Sequence, residues 1–429
     1  MNSMGINKKI NDYLYFGYLP PNELPPGLEI FSREIPGEWK YNAEDCGSLL
    51  DRVFDDTLTQ YGSFNQIVIP LSGGWDSRIL LGLALERFPS ANIKTYTFGQ
   101  PGQYDYDIGA TIAHKMGVEH TDVNLNEVEM GWDVLKKSVK LSRWTYVPDS
   151  YFNQLGYQMM AKKGDSILNG FMGDPLTGSH FIENRLKYEQ ILDDFVQKQK
   201  KADSYNLTKP GYDPLTSIPE VTDNRVFEIS EHLDFGVRQF HCIVRIISQM
   251  KSLEGWQPDL GKTEAGADIL TPFSHPMWAK YWSGAPEKAK KGRSLYVEMM
   301  KSRFPKLAAL PSKNYYGATS GSGLFHYLMK KRFNLRIVLH QHFPVIFSKQ
   351  IKSLNYLDFQ EAFIRRDDYR ALWEQAVRFM TQTNVAPWID VDRVMKEHES
   401  GQKDHSWALL TIIGLALNLE VEQREEANR

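Results

Sequence analysis

The sequence predicts an α/β fold: a parallel sheet with helices on both faces, joined to a helical C-terminal region. Three observations predict it. Short β-branched runs alternate with helical stretches of about 10–12 residues between 46 and 170. One of those runs ends in Gly73-Gly74 and passes straight into a helix. From about 236 onward the apolar spacing is helical.

The elements follow in order. Residues 1–45 are rich in Pro and Gly, with PPNELPPG at 20–27, and read as extended segments and turns. Residues 46–62 have helical spacing. QIVIPLS (66–72) is a short buried strand closed by the two glycines, and 77–88 is a helix that stops before Pro89. IKTYTF (93–98) is a second strand, 105–116 a helix ending at Gly117, and 119–123 a third strand. A helix around 151–163 leads to a fourth strand in DSILNG (165–170). Residues 181–235 break the rhythm with Lys198-Gln199-Lys200-Lys201 and the turn-rich KPGYDPLTSIP, and read as an insertion or connection with a solvated face. The expected organisation is therefore 1–45 as an N-terminal extension, 46–180 as the α/β core, 181–235 as the connection and 236–429 as helices completing the unit.

Composition narrows the class. With 429 residues, 42% hydrophobic and 24% charged, the chain can bury a sizeable core, and disorder or a fibrous repeat does not describe it. A formal charge of −3 argues against a nucleic acid backbone as the main partner. Cys46 and Cys242 are too far apart for a CxxC pair or a cysteine-rich zinc site, and this usage fits a reducing cytoplasm. No apolar core follows the lysines of the N-terminus, so no signal peptide is expected. The most apolar run, 407–417, is too short to span a bilayer and reads as a buried helix; no membrane partner is expected.

The segment that carries chemistry is Ile69-Pro70-Leu71-Ser72-Gly73-Gly74-Trp75-Asp76-Ser77-Arg78. Its glycines allow a ligand close to the backbone, and the N–H groups at the start of the following helix favour an anion. Ser72 and Ser77 add hydroxyls. Asp76 repels a phosphate, so its natural task is to hold a magnesium ion that bridges phosphates. The lysine of a Walker loop is absent. Trp75 is expected to pack against the back of the loop.

This segment closely resembles the SGGxDS loop of the ATP pyrophosphatase superfamily, and further stretches resemble its asparagine synthetase branch. These are Thr97-Phe98-Gly99; Asp105 with Gly109, Ile112-Ala113, Met116-Gly117 and His120; Asn169-Gly170-Phe171-Met172-Gly173-Asp174; Pro272-Phe273 after Asp268; Lys313 in PSKNY before GATSGSG; and SWALLTIIGLALNLE. YFGYLPP (15–21) and LPPGLEI (24–30) resemble the link that follows a glutaminase half. The resemblance implies an adenine nucleotide alpha hydrolase-like fold that cleaves ATP to AMP and pyrophosphate. It implies that Ser72, Gly73, Gly74 and Ser77 cradle pyrophosphate, and that Gly170 belongs to the second loop. Leu71, Phe98 and Gly99 would hold adenosine. Asp76 and Asp174 would bind Mg2+, and Lys313 would neutralise developing charge. Phe171, Asp268 and His180 fall where the acceptor pocket is expected.

Departures from the family pattern shape the functional reading. Position 2 is Asn2, so the glutaminase cysteine is missing from its expected place and the chain should not release ammonia from glutamine. Phe171 stands where asparagine synthetases have Glu and β-lactam synthetases Tyr, Asp268 replaces a Glu, and Leu270 replaces an Arg. Phe171 cannot take a proton, which removes the case for β-lactam closure. The expected activity is adenylation of a small-molecule or peptide carboxylate by Mg-ATP, followed by amide formation with ammonia or an amine. The nitrogen would come free, from a separate glutaminase, or from the substrate itself. The alternatives are a tRNA-modifying ATP pyrophosphatase and a degenerate nucleotide-binding protein. The cluster Lys288, Lys290, Lys291 and Arg293 reads as a solvated helix start, and His340 and His342 as structural.

Overall fold

Strands β1 (Ile67–Pro70), β2 (Ile93–Gly99), β3 (Glu119–Asn124), β4 (Ser166–Leu168) and β5 (Asp268–Leu270) form one parallel sheet in the order β3-β2-β1-β4-β5. This computed structural model describes residues 40–59, 65–141, 147–179, 266–319, 323–342 and 356–427, with 9, 10, 13, 14, 144, 207 and 209. Apart from 207 and 209, the connection expected at 181–235 lies outside the described residues, as does most of 1–45.

Alternation along the strands assigns the two faces. Ile67 and Ile69 enter a core with α1 (Ala43–Thr59), α2 (Asp76–Arg87) and α3 (Tyr104–Met116). Val68 points the other way, to Tyr96, Ile167 and Ile269 and to Tyr157 and Ala161 at the end of α5 (Val147–Met160). Between β3 and α5 lies a further helix, α4 (Trp132–Leu141). α6 (Gly173–Thr177) follows β4. After β5 come α7 (Pro276–Gly284) and α8 (Ser294–Arg303), which pack on the α1 side.

The C-terminal helices are α9 (Gly323–His342), α10 (Phe359–Arg365), α11 (Asp367–Thr383), α12 (Val391–Glu399) and α13 (Ser406–Ala427). α13 buries every residue from Ala408 to Leu419, as the apolar run predicted, in a core shared with α4, α10 and α11. No helix among the described residues is long and apolar enough to cross a membrane.

Two expectations are corrected. The C-terminal part is not wholly helical, because Asp268–Leu270 adds β5 to the sheet through β4. Three residues are too few for a period-two signal to register. Arg293 is not on a solvated surface: it is 6% exposed and lies in the site described below.

His398 on α12 carries a pH prediction. It is fully buried, and its Nδ1 accepts the His405 backbone N–H at 3.0 Å. Burial lowers its pKa, although the Asp404 charge works the other way. Protonating Nδ1 would also break that hydrogen bond. The unfolded chain therefore takes up this proton first, at a pH of about 6.5. Stability present above that pH is lost as pH falls through it, with a slope of at most ~1.4 kcal/mol per pH unit from this group. Urea midpoints at pH 7.5 and 5.5 should fall further for the wild type than for His398→Gln.

Candidate active site

The strand order reverses between β1 and β4, so their carboxyl ends open a crevice, the usual ligand position in an open parallel sheet. Two loops face each other there. The first, residues 71–75, joins β1 to α2. The second leaves β4 at Asn169 and turns into α6 at Gly173.

The first loop is tied by its own hydroxyls. The Ser72 N–H donates to Ser77 Oγ at 3.1 Å, and the Gly74 N–H donates to Ser72 Oγ at 3.2 Å. The Gly73 N–H donates to Asp105 Oδ1 at 2.9 Å, while Asp105 Oδ2 accepts from Lys313 Nζ at 2.9 Å. A carboxylate thus already sits between a loop amide and a lysine, the surroundings an anionic ligand would need. Trp75 is 1% exposed and packs behind the loop beside Tyr315 and Arg78, as expected.

Lys313 is 240 residues from Gly73 in sequence and adjacent to it in space. Its backbone N–H donates to the Gly73 carbonyl at 3.0 Å, and Ser312 Oγ donates to the same oxygen at 3.1 Å. The side chain is 40% exposed. Burial alone would lower its pKa, but the Asp105 carboxylate more than offsets this and raises it, so Lys313 stays charged.

The second loop closes on Asp76. A Cβ on Gly173 would lie 2.7 Å from Asp76 Cγ, and one on Gly170 would lie 3.2 Å from Asp76 Cβ. Asp76 fills the space beside Gly173, where a Cβ would force it to shift, and leaves only a tight fit beside Gly170. Gly173→Ala should therefore push the Asp76 carboxylate aside and lower ATP-dependent turnover by about 100-fold, with little change in melting temperature. Steady-state turnover beside a thermal melt checks this; unchanged turnover would show that the fit is not needed.

Asp76 and Asp174 meet at one guanidinium. Arg293 Nη2 donates to Asp76 Oδ1 at 2.6 Å, Nη1 donates to Asp174 Oδ1, and Nε donates to Thr177 Oγ1 at 2.8 Å. The Tyr296 hydroxyl donates to the same Asp76 oxygen at 2.6 Å. Burial raises the Asp76 pKa; Arg293 pulls it down, and the Asp174 charge adds to the rise. Burial likewise disfavours the Arg293 charge, but Asp76 and Asp174 outweigh it and raise its pKa.

Leu71, Ser72, Asp76, Ser77, Phe98 and Gly170 line one cavity of about 340 Å³ in this crevice. Asp105, Asn169 and Tyr356 line it as well, and their roles were not read from the sequence. Tyr356 stacks on Phe98 with centroids 5.6 Å apart and an interplanar angle of 7°. Gly99 ends β2 beside them. Three expected pocket residues are not brought to the cavity by the described structure. Phe171 is half-buried and packs against the core. Asp268 begins β5 opposite Ser166, at the end of the strands away from the crevice. His180 lies outside the described residues.

Two carboxylates with hard oxygen donors suit a magnesium ion that takes its remaining ligands from phosphates and water. Among the described residues no group of three or more His, Cys, Asp or Glu forms a metal cage. The family model described as asparagine synthase matches residues 50–231, a stretch that contains both loops. A search of the curated proteins finds no match to the chain.

Proposed function

We propose that this chain, whose residues 50–231 match the asparagine synthase family model, adenylates a carboxylate with ATP and passes the acyl group to ammonia or an amine. The observation that carries this reading is the convergence of three distant segments: the 72–77 loop, Asp174 after β4, and Lys313 bonded through its backbone to Gly73.

The residues divide the work by chemistry. Phe98 and Tyr356 offer an apolar wall to the adenine ring. Ser72, Ser77 and the Gly73 and Gly74 amides can turn their donors to the phosphates once these replace Asp105 and the internal hydroxyl contacts. Asp76 and Asp174 would hold Mg2+, which when bound neutralises phosphate charge. Lys313 is placed to stabilise the negative charge that builds on departing pyrophosphate. Holding carboxylate and nucleotide in one crevice lowers the entropic part of the barrier. Phe171 has no group that takes a proton, so the incoming nitrogen would lose its proton to some other group or to water.

The nitrogen source in this reading is ammonia, an amine on a second molecule, or an amine within the acceptor, with a separate glutaminase as one supplier. The test is incubation with Mg-ATP, a panel of carboxylic acids including peptides, and ammonium. AMP and pyrophosphate in equal amounts, dependent on one acid, are the expected products. ATP binding without AMP from any acid, or ADP with phosphate, would overturn it.

A further inference from the structure

Arg293 lies between the two carboxylates proposed to hold the metal. Its guanidinium contacts Asp76 and Asp174 together, and its Nε is fixed by Thr177. The arginine is held there at a cost. Its backbone has φ 57°, a left-handed conformation that disfavours a bulky residue, and the preceding Gly292 has φ 58°. This double left-handed turn at the start of α8 aims the side chain back into the crevice. Tyr296, one turn along α8, supports the arrangement from below: its ring lies 4.3 Å from the guanidinium carbon, and its hydroxyl reaches Asp76.

Arg293 lies on Oδ1 of each carboxylate, and its positive charge repels a divalent cation brought to the same pair, so the two compete for the site. We infer that Arg293 is a built-in counter-cation that withholds divalent metal from Asp76 and Asp174 until nucleotide phosphates arrive. This rests on the reading of those two residues as the metal carboxylates. In the free chain Arg293 balances two negative charges that would otherwise repel each other. The metal then binds as a metal–nucleotide complex, because the phosphates supply further ligands to the metal and a new anionic partner for the displaced arginine.

The test uses Mn2+ alone with the nucleotide-free full chain, free Mn2+ being followed by its paramagnetic resonance signal. Arg293→Gln is expected to bind Mn2+ about tenfold more tightly than the wild type, and Arg293→Gln with Asp174→Asn to lose the gain. Mn2+ should raise the melting temperature of Arg293→Gln and leave that of the wild type unmoved. If Arg293→Gln does not fold, Arg293→Lys carries the test. One ammonium cannot bridge both carboxylates as the guanidinium fork does, so binding about threefold tighter than wild type is expected. Equal Mn2+ affinity in wild type and variant, whether strong or weak, would overturn the inference. The titration contains no nucleotide, so its outcome is separate from whether AMP and pyrophosphate form.

Discussion

Asp76→Asn is expected to lower AMP and pyrophosphate formation by about 10³-fold, because it removes charge where the transition state most depends on it. The shape of the side chain is kept, so the close fit against Gly170 and Gly173 survives. The amide oxygen can still accept from Tyr296 and Arg293. What goes is one of the two negative charges available to a cation that bridges phosphates. Arg293 retains Asp174 as its partner, so the fold should tolerate the change better than loss of the arginine itself. Asp174→Asn should cost less, since Asp174 is 53% exposed and Asp76 only 18%. Single-turnover pyrophosphate release, measured with ATP affinity, separates the chemical step from binding. Turnover of Asp76→Asn near that of the wild type would remove the proposed metal role.

Why Asp76 was legible and Arg293 was not follows from what each depends on. The strand, the glycine pair and the helix that carry Asp76 are contiguous, and each has a local signature: a β-branched run, a turn that needs no Cβ, and a 3.6-residue period. Strands β1 to β4, which flank the crevice, were readable for the same reason, and so was α13. Arg293 instead lies in a run of lysines, where charge density suggests solvent. Its burial arises from a left-handed turn and from two carboxylates more than a hundred residues away, which no local pattern encodes. Asp105 shows an intermediate case. Its segment was singled out, but its bridge from the Gly73 amide to Lys313 needed three separate pieces of chain in register. Asp268 went the other way: the segment matched a pattern, and pairing with Ser166 set its start at the far end of the strands. The carboxyl end of that strand, which does face the crevice side, is apolar Leu270.

Arg78→Met is expected to destabilise the fold by about 3 kcal/mol and to reduce affinity for ATP, although Arg78 touches no ligand in the proposed reaction. The side chain is fully buried on α2. It donates to the carbonyls of Leu307 at 3.0 Å, Leu310 at 3.2 Å and Pro311 at 2.6 Å, with a longer 3.5 Å contact to Gly73. Burial lowers its pKa to about 10, and its hydrogen bonds among the described residues go to backbone oxygens rather than carboxylates. One guanidinium thus ties the phosphate-type loop to the segment that presents Lys313. Methionine fills much of the volume but leaves several buried acceptors without a donor, each worth ~1–3 kcal/mol when fully dry. Arg78→Lys should fall between, since a single ammonium cannot serve the same spread of carbonyls. Urea unfolding gives the stability, and equilibrium binding of ATP at a temperature where both proteins are folded gives the positional effect. A stability loss below ~1 kcal/mol would mean that water replaces the guanidinium at these oxygens. A loss of stability with unchanged ATP affinity would mean that the bonds from Lys313 and Ser312 to Gly73, with the Lys313–Asp105 pair, hold Lys313 without the guanidinium.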